Sequence, residues 1–185
     1  MEIGTVVSLD ETEQELVTLI AQKRYDSSIK NKLQDTRPGI CDPYIADLEG
    51  FAAEFAFCKM ANCFPDFIIG VHIAKNDKGD CKYCGYSIDV KTTKNPNNGL
   101  IVKPWKKDKV DAFALFTGTF PNYTFRGFYP SAAVFLPENL KEVFDQKNYV
   151  VPQSKLMELD QFFDQMVTDA ERFKYINHKA LEGVW

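Results

Sequence analysis

Histidine is nearly absent from this chain of 185 residues: only His72 and His178 occur. Zinc hydrolases and nucleases built on several histidines are thereby excluded. The patterns G-x-x-x-x-G-K-[ST], G-x-G-x-x-G and G-x-S-x-G are also missing, which removes local support for phosphate-loop, dinucleotide and nucleophile-elbow chemistry. No apolar run reaches the roughly 18 residues that a membrane-spanning helix needs, so no membrane partner is expected. Met1-Glu2-Ile3-Gly4 has neither the basic start nor the continuous apolar stretch of a secretory signal. The expected location is therefore cytoplasmic, with the five cysteines reduced rather than paired.

What is present has the composition of one folded domain spanning 1–185, with 45% apolar and 26% charged residues. Basic residues number 22 and acidic residues 26, for a net charge of −4. The distribution says more than the sum. Residues 1–90 carry 9 basic and 15 acidic side chains, whereas residues 91–109 carry 6 and 1. That short segment holds Lys91, Lys94, Lys103, Lys106, Lys107 and Lys109 around Trp105, and a polyanion would be steered to it.

Periodicity predicts the elements. Ser8-Leu9-Asp10-Glu11 has capping-box spacing, and Leu16, Leu19 and Ile20 continue a first helix toward residue 33. Ile45, Leu48, Ala52 and Phe55 mark a second, buried helix through "IADLEGFAAEFAFCKMA". From Phe67 the period shortens: "FIIGVHI", "YSIDVKT", "LIV", "AFALFT" and "TFRGFY" read as strands separated by turn signals. Pro137 opens a helical pattern to about Gln146, and Ser154 caps a last one striped by Leu156, Leu159, Phe162, Phe163 and Met166. The expected fold is α/β, a mixed central β-sheet flanked by helices.

Chemistry concentrates in "GDCKYCGYSIDVKTT", residues 79–93. Alternation along a strand puts Asp89 and Lys91 on one face and Tyr86, Ile88 and Val90 on the other. A turn at Cys84-Gly85 folds Asp80 back beside Asp89. Two carboxylates so placed repel unless a cation lies between them, and oxygen ligands suit magnesium or manganese. Lys91 is then placed to hold an attacking water and to neutralise charge growing on a phosphate.

An acid at a strand start, a short hairpin and Asp-x-Lys on the next strand resemble the PD-(D/E)xK, or restriction-endonuclease-like, nuclease superfamily, in particular its small phage and bacterial members. The helix "GFAAEFAFCKM" looks like the helix that precedes the motif there, with a glutamate four residues after a glycine. The resemblance covers about residues 45–130 and implies a restriction-endonuclease-like core with helical additions at both ends. It extends to "DAFALFTGTFPNYTFRGFYP", with Asp111 at its start and Gly127 in its second strand. It implies Glu54, Asp80 and Asp89 as metal ligands together with the Val90 carbonyl, Lys91 as the catalytic lysine, and magnesium-dependent hydrolysis of DNA, as an endonuclease. Thr92, Thr93, Lys94, Lys103, Lys106, Lys107 and Lys109 would hold the phosphate backbone. Dimerisation is common among such enzymes, and a phage member would work in its host's cytoplasm. One departure stands out: Gly79 occupies the place of the family's proline, while a literal Pro65-Asp66 makes Asp66 a rival for the first acid. Asp80 is preferred because nine residues close a single hairpin.

Two other readings use the same residues. Cys58, Cys63, Cys81 and Cys84, spaced C-x4-C-x17-C-x2-C, overlap the pattern of structural four-cysteine zinc sites. Against zinc, Cys58 falls among apolar neighbours on a helix, and Cys81 and Cys84 tend to opposite faces of a hairpin. The second alternative is a non-catalytic nucleic-acid-binding or assembly protein that retains the fold.

Overall fold

The computed structural model describes residues 1–31, 42–69, 79–143 and 145–167. The chain opens with strand β1 (Val6–Ser8), helix α1 (Glu11–Lys30) and helix α2 (Pro43–Ala61). The hairpin β2 (Cys81–Tyr83) and β3 (Tyr86–Thr93) follows, then β4 (Leu100–Val102) and a 3-10 turn at Pro104–Lys106. Next come β5 (Ala112–Thr119), β6 (Asn122–Pro130), the short helix α3 (Ser131–Val134), β7 (Leu140–Val143) and β8 (Gln146–Val151). Residues 159–167 form a last helix, α4. Among the described residues no helix is long and apolar enough to cross a membrane. His72, His178 and most of the strand expected from Phe67 lie outside the described residues; 67–69 are not in a strand.

Five strands make a mixed sheet in the order β1-β6-β5-β3-β2, and three make an antiparallel sheet in the order β4-β8-β7. In the larger sheet β3 and β5 are parallel, with Asp89 beside Phe113 and Lys91 beside Leu115. A parallel pair needs a crossover. Here residues 94–111 provide it, and they carry β4 and the lysine-rich segment over one face of the sheet. That face holds Phe113, Leu115 and Tyr129, packed with Leu100, Val102, Val151 and Leu156. The opposite face holds Ile88, Val90, Ala114, Phe116 and Phe125, covered by Val17 of α1, Phe51, Ala52 and Phe57 of α2, and Phe162 of α4. Phe57 is fully buried, edge-on to Tyr83, Phe116 and Phe128. Truncating such a ring to alanine costs about 3–5 kcal/mol.

Three expectations are corrected. The first helix is capped by Asp10, not Ser8: Asp10 Oδ1 accepts from the Glu13 N–H at 3.0 Å and Glu13 Oε2 accepts from the Asp10 N–H at 2.7 Å. Ser8 is paired within β1 and its hydroxyl is engaged by Asn122, so it does not cap the helix. The helical pattern after Pro137 stops after a single 3-10 turn, and β7 and β8 form a hairpin in its place. Asp145 takes φ +56° there, the Asn148 amide donates to the carbonyls of Val143 and Gln146, and Tyr149, Val150 and Val151 pair with β4. Ser154 lies in a 3-10 turn, and α4 starts after Glu158, whose N–H donates to Gln161 Oε1.

Candidate active site at the open edge of the sheet

Strand β2 is only three residues long and pairs with Tyr86, Ser87 and Ile88. Among the described residues the rest of that edge of β3 has no strand neighbour. Asp80 sits at the mouth of the hairpin, its N–H donating to the Ile88 carbonyl at 2.8 Å. Its side chain then replaces the missing strand, with Oδ2 accepting from the Val90 N–H at 2.6 Å. The N–H and C=O of a strand residue project to the same edge, so the Val90 carbonyl faces this opening too. Gly79, just before, has φ +89°, and a Cβ there would meet the Ile88 carbonyl oxygen at 2.8 Å. Proline, locked near −65°, cannot adopt that conformation, which accounts for glycine at the position.

Asp89 is fully buried, on the face covered by the crossover. Lys91 contacts its Oδ1, and Lys106 Nζ lies 2.5 Å from its Oδ2. Lys106 thus forms an ion pair with the Asp89 carboxylate. Lys106 is therefore an interior side chain, 8% exposed, and not a member of a solvated run. Nothing in its sequence neighbourhood signals this; the crossover alone delivers it.

Glu54 projects from α2 toward the same edge. Its Oε2 accepts from Arg24 of α1 at 3.0 Å, and the same guanidinium donates to the Asp66 carbonyl at 2.7 Å and lies over the Phe51 ring. Burial pushes the Glu54 carboxyl up to about 8, and the charge of Asp80 adds to the rise, while Arg24 and then Lys91 oppose it. The Glu54 carboxyl thus senses both Asp80 and Lys91. α2 is held in place by Glu49, whose Oε2 accepts from the Tyr123 hydroxyl at 2.7 Å and from the Phe120 N–H at 3.0 Å. The rival acid Asp66 is occupied locally: its Oδ1 accepts from the Ile68 N–H at 2.8 Å. Arg24 is the participant that sequence reasoning missed, lying 30 residues from its partner with no local pattern to mark it.

Thr92 and Thr93 end β3, and the Thr92 hydroxyl is buried with no hydrogen-bond partner among the described residues. Lys94 is exposed, 3.9 Å from Glu49. Lys103 and Lys109 are half-buried, Lys107 is exposed, and Trp105 is half exposed with Lys106 Nζ 5.0 Å from its ring centre. Asp111 immediately precedes β5 and is tied to β3, its Oδ2 accepting from both the N–H and the hydroxyl of Ser87.

Immediately beside these acids is a group of thiols. Cys58 follows Glu54 by one helical turn and Cys81 follows Asp80 directly; with Cys63 their sulfurs all lie within 4.8 Å of one another. None of the three, nor Cys84, is in a disulfide. The hydrogen bond with Cys81, together with burial, pushes the Cys58 thiol far up, and burial lifts Cys63 to about 11. Cys58 is buried but not a lone hydrophobe, while Cys84 lies exposed in the β2–β3 turn. The carboxylates are more dispersed: among the described residues Glu54, Asp80 and Asp89 do not form such a group within 4.8 Å. Comparison of the chain with protein-family models, with curated proteins and with solved structures returned no match.

Proposed function

We propose that the chain is a magnesium-dependent nuclease of the restriction-endonuclease-like kind, cutting phosphodiester bonds of DNA internally at the open edge of β3. One observation supports this reading above the rest: Glu54 and Asp80 are near enough for Asp80 to raise the Glu54 carboxyl, at the edge that also bears Lys91. A perturbed carboxylate near a second acid and a lysine suits phosphoryl chemistry. The donor set is all oxygen, which fits magnesium or manganese. Asp80, Glu54 and the Val90 carbonyl would hold the ion, and Asp89 would join them on exchanging one of its two lysines. Bound there, the metal would supply Lewis acidity and a more acidic water.

The chain's own groups do the remainder. Asp89 holds the Lys91 ammonium in place by charge pairing. Lys91 orients the attacking water and offsets charge on the phosphate oxygens. Arg24 fixes the Glu54 carboxyl, and Lys94, Lys103, Lys107 and Lys109 grip the backbone on either side.

The non-catalytic reading has its own support, because Asp89 neutralised by two lysines is a stable arrangement without any ion. Nicking of supercoiled plasmid in magnesium separates the two. The wild-type chain is expected to nick, and Lys91→Ala to lose about 100-fold or more in rate with its circular dichroism unchanged. Asp80→Ala should be equally impaired, and Asp66→Ala within about twofold of wild type. A wild-type chain inert in both magnesium and manganese, or a fully active Lys91→Ala, would overturn the nuclease reading.

A further inference from the structure

We propose that Cys58, Cys63 and Cys81, completed by Cys84, bind one zinc ion in a scaffold site that ties the end of α2 to the β2–β3 hairpin. The inference rests on these residues alone and is independent of the nuclease reading. Zinc binds sulfur at about 2.3 Å, so a tetrahedral four-sulfur site needs sulfurs about 3.8 Å apart. Three sulfurs already within 4.8 Å of one another need to close by about 1 Å at most.

Their convergence is built by three separate backbone devices. Cys58 stands on the last turns of α2. Asn62 ends that helix in the left-handed conformation, φ 49° and ψ 46°, which turns the chain back. The Cys63 N–H consequently donates to the Cys58 carbonyl at 3.0 Å, and the Cys63 thiol comes over that of Cys58. Cys81 is the first residue of β2, brought against α2 by the packing of Phe57 on Tyr83. A disulfide framework would use pairs; three thiols meeting at one point suit a thiophilic cation better.

Cys84 supplies the fourth ligand. It follows Cys81 with C-x2-C spacing, the separation at which two thiolates of one turn reach the same zinc. It lies in a two-residue turn in which Cys84 has φ +48° and Gly85 φ +87°. Cys84 is exposed and lies outside the group of three, so its side chain must turn toward them to bind.

The test uses the full chain, purified under reducing conditions. Elemental analysis is expected to find one zinc per chain. After removal of zinc, cobalt(II) should produce sulfur-to-cobalt charge-transfer and tetrahedral ligand-field bands that saturate at one equivalent and disappear on adding zinc. Cys63→Ser and Cys84→Ser are the variants to use, since neither side chain is buried and both should fold. Each should weaken cobalt affinity by about 100-fold or more and diminish the charge-transfer band. Zinc-depleted protein should also melt at lower temperature than the loaded form. Reduced protein that contains no zinc and gives no cobalt bands would overturn the proposal. So would a Cys84→Ser variant with unchanged affinity and spectrum.

Discussion

Two carboxylates near the sheet edge, Asp89 fully buried and Glu54 part-buried, are accommodated in opposite ways. Asp89 keeps company with two ammonium groups, whereas Glu54 has one guanidinium and a carboxylate neighbour, so its proton becomes part of the structure. Its folded value of about 8 stands above the ordinary 4.5. Between those two values the folded chain holds a proton that the unfolded chain has released. Stability from this group is therefore complete below pH 4.5 and lost as pH rises through 8. In thermal unfolding with EDTA, Glu54→Gln is expected to melt about 3–5 °C above wild type at pH 9, with the gap shrinking toward pH 5. A gap that does not change with pH would assign the effect to Arg24 alone. At this scale the sequence was partly readable. The period of two put Asp89 and Lys91 on one face, and the resemblance alone singled out Glu54. The partners Arg24 and Lys106 come from distant segments and leave no local trace.

The crossover between β3 and β5 combines two kinds of lysine. Lys106 is buried against Asp89, while Lys107 on the next residue is exposed. They should respond differently to substitution. Lys107→Ala with Lys109→Ala is expected to weaken DNA binding in calcium for every sequence and to lower the salt slope by about one ion per lost contact, with melting temperature unchanged. Lys106→Met leaves Asp89 with one partner and is expected to destabilise the fold by about 1–3 kcal/mol, read as a shift in denaturant midpoint. Equal behaviour of the two in both measurements would deny the distinction. The helices and most strands are legible because their apolar periods are long or clean: α2 was expected from Ile45 and begins at Pro43. The segment after Pro137 misleads because its apolar spacing over ten residues fits a helix, whereas pairing of Tyr149 to Val151 with β4, about 50 residues away, decides its conformation.

Across the whole molecule, one sheet separates two unlike layers, helices on one side and a smaller sheet on the other. The alternation of strand residues announces two covered faces but not what covers each, since that depends on long-range pairing. The order of the strands also sets a timetable. β4 leaves the ribosome well before β8, its partner in the register of Leu100 with Val151. At about 5–20 residues per second, the crossover waits several seconds for the strand that anchors it. A released chain ending at residue 143 should accordingly be cleaved by trypsin at Lys106, Lys107 and Lys109, and one ending at 167 should resist. Equal protection at both lengths would show that the crossover docks without β8. The last part of the fold to mature is then the layer over Asp89, so the face bearing the candidate chemistry stays open until synthesis of the described chain is nearly finished.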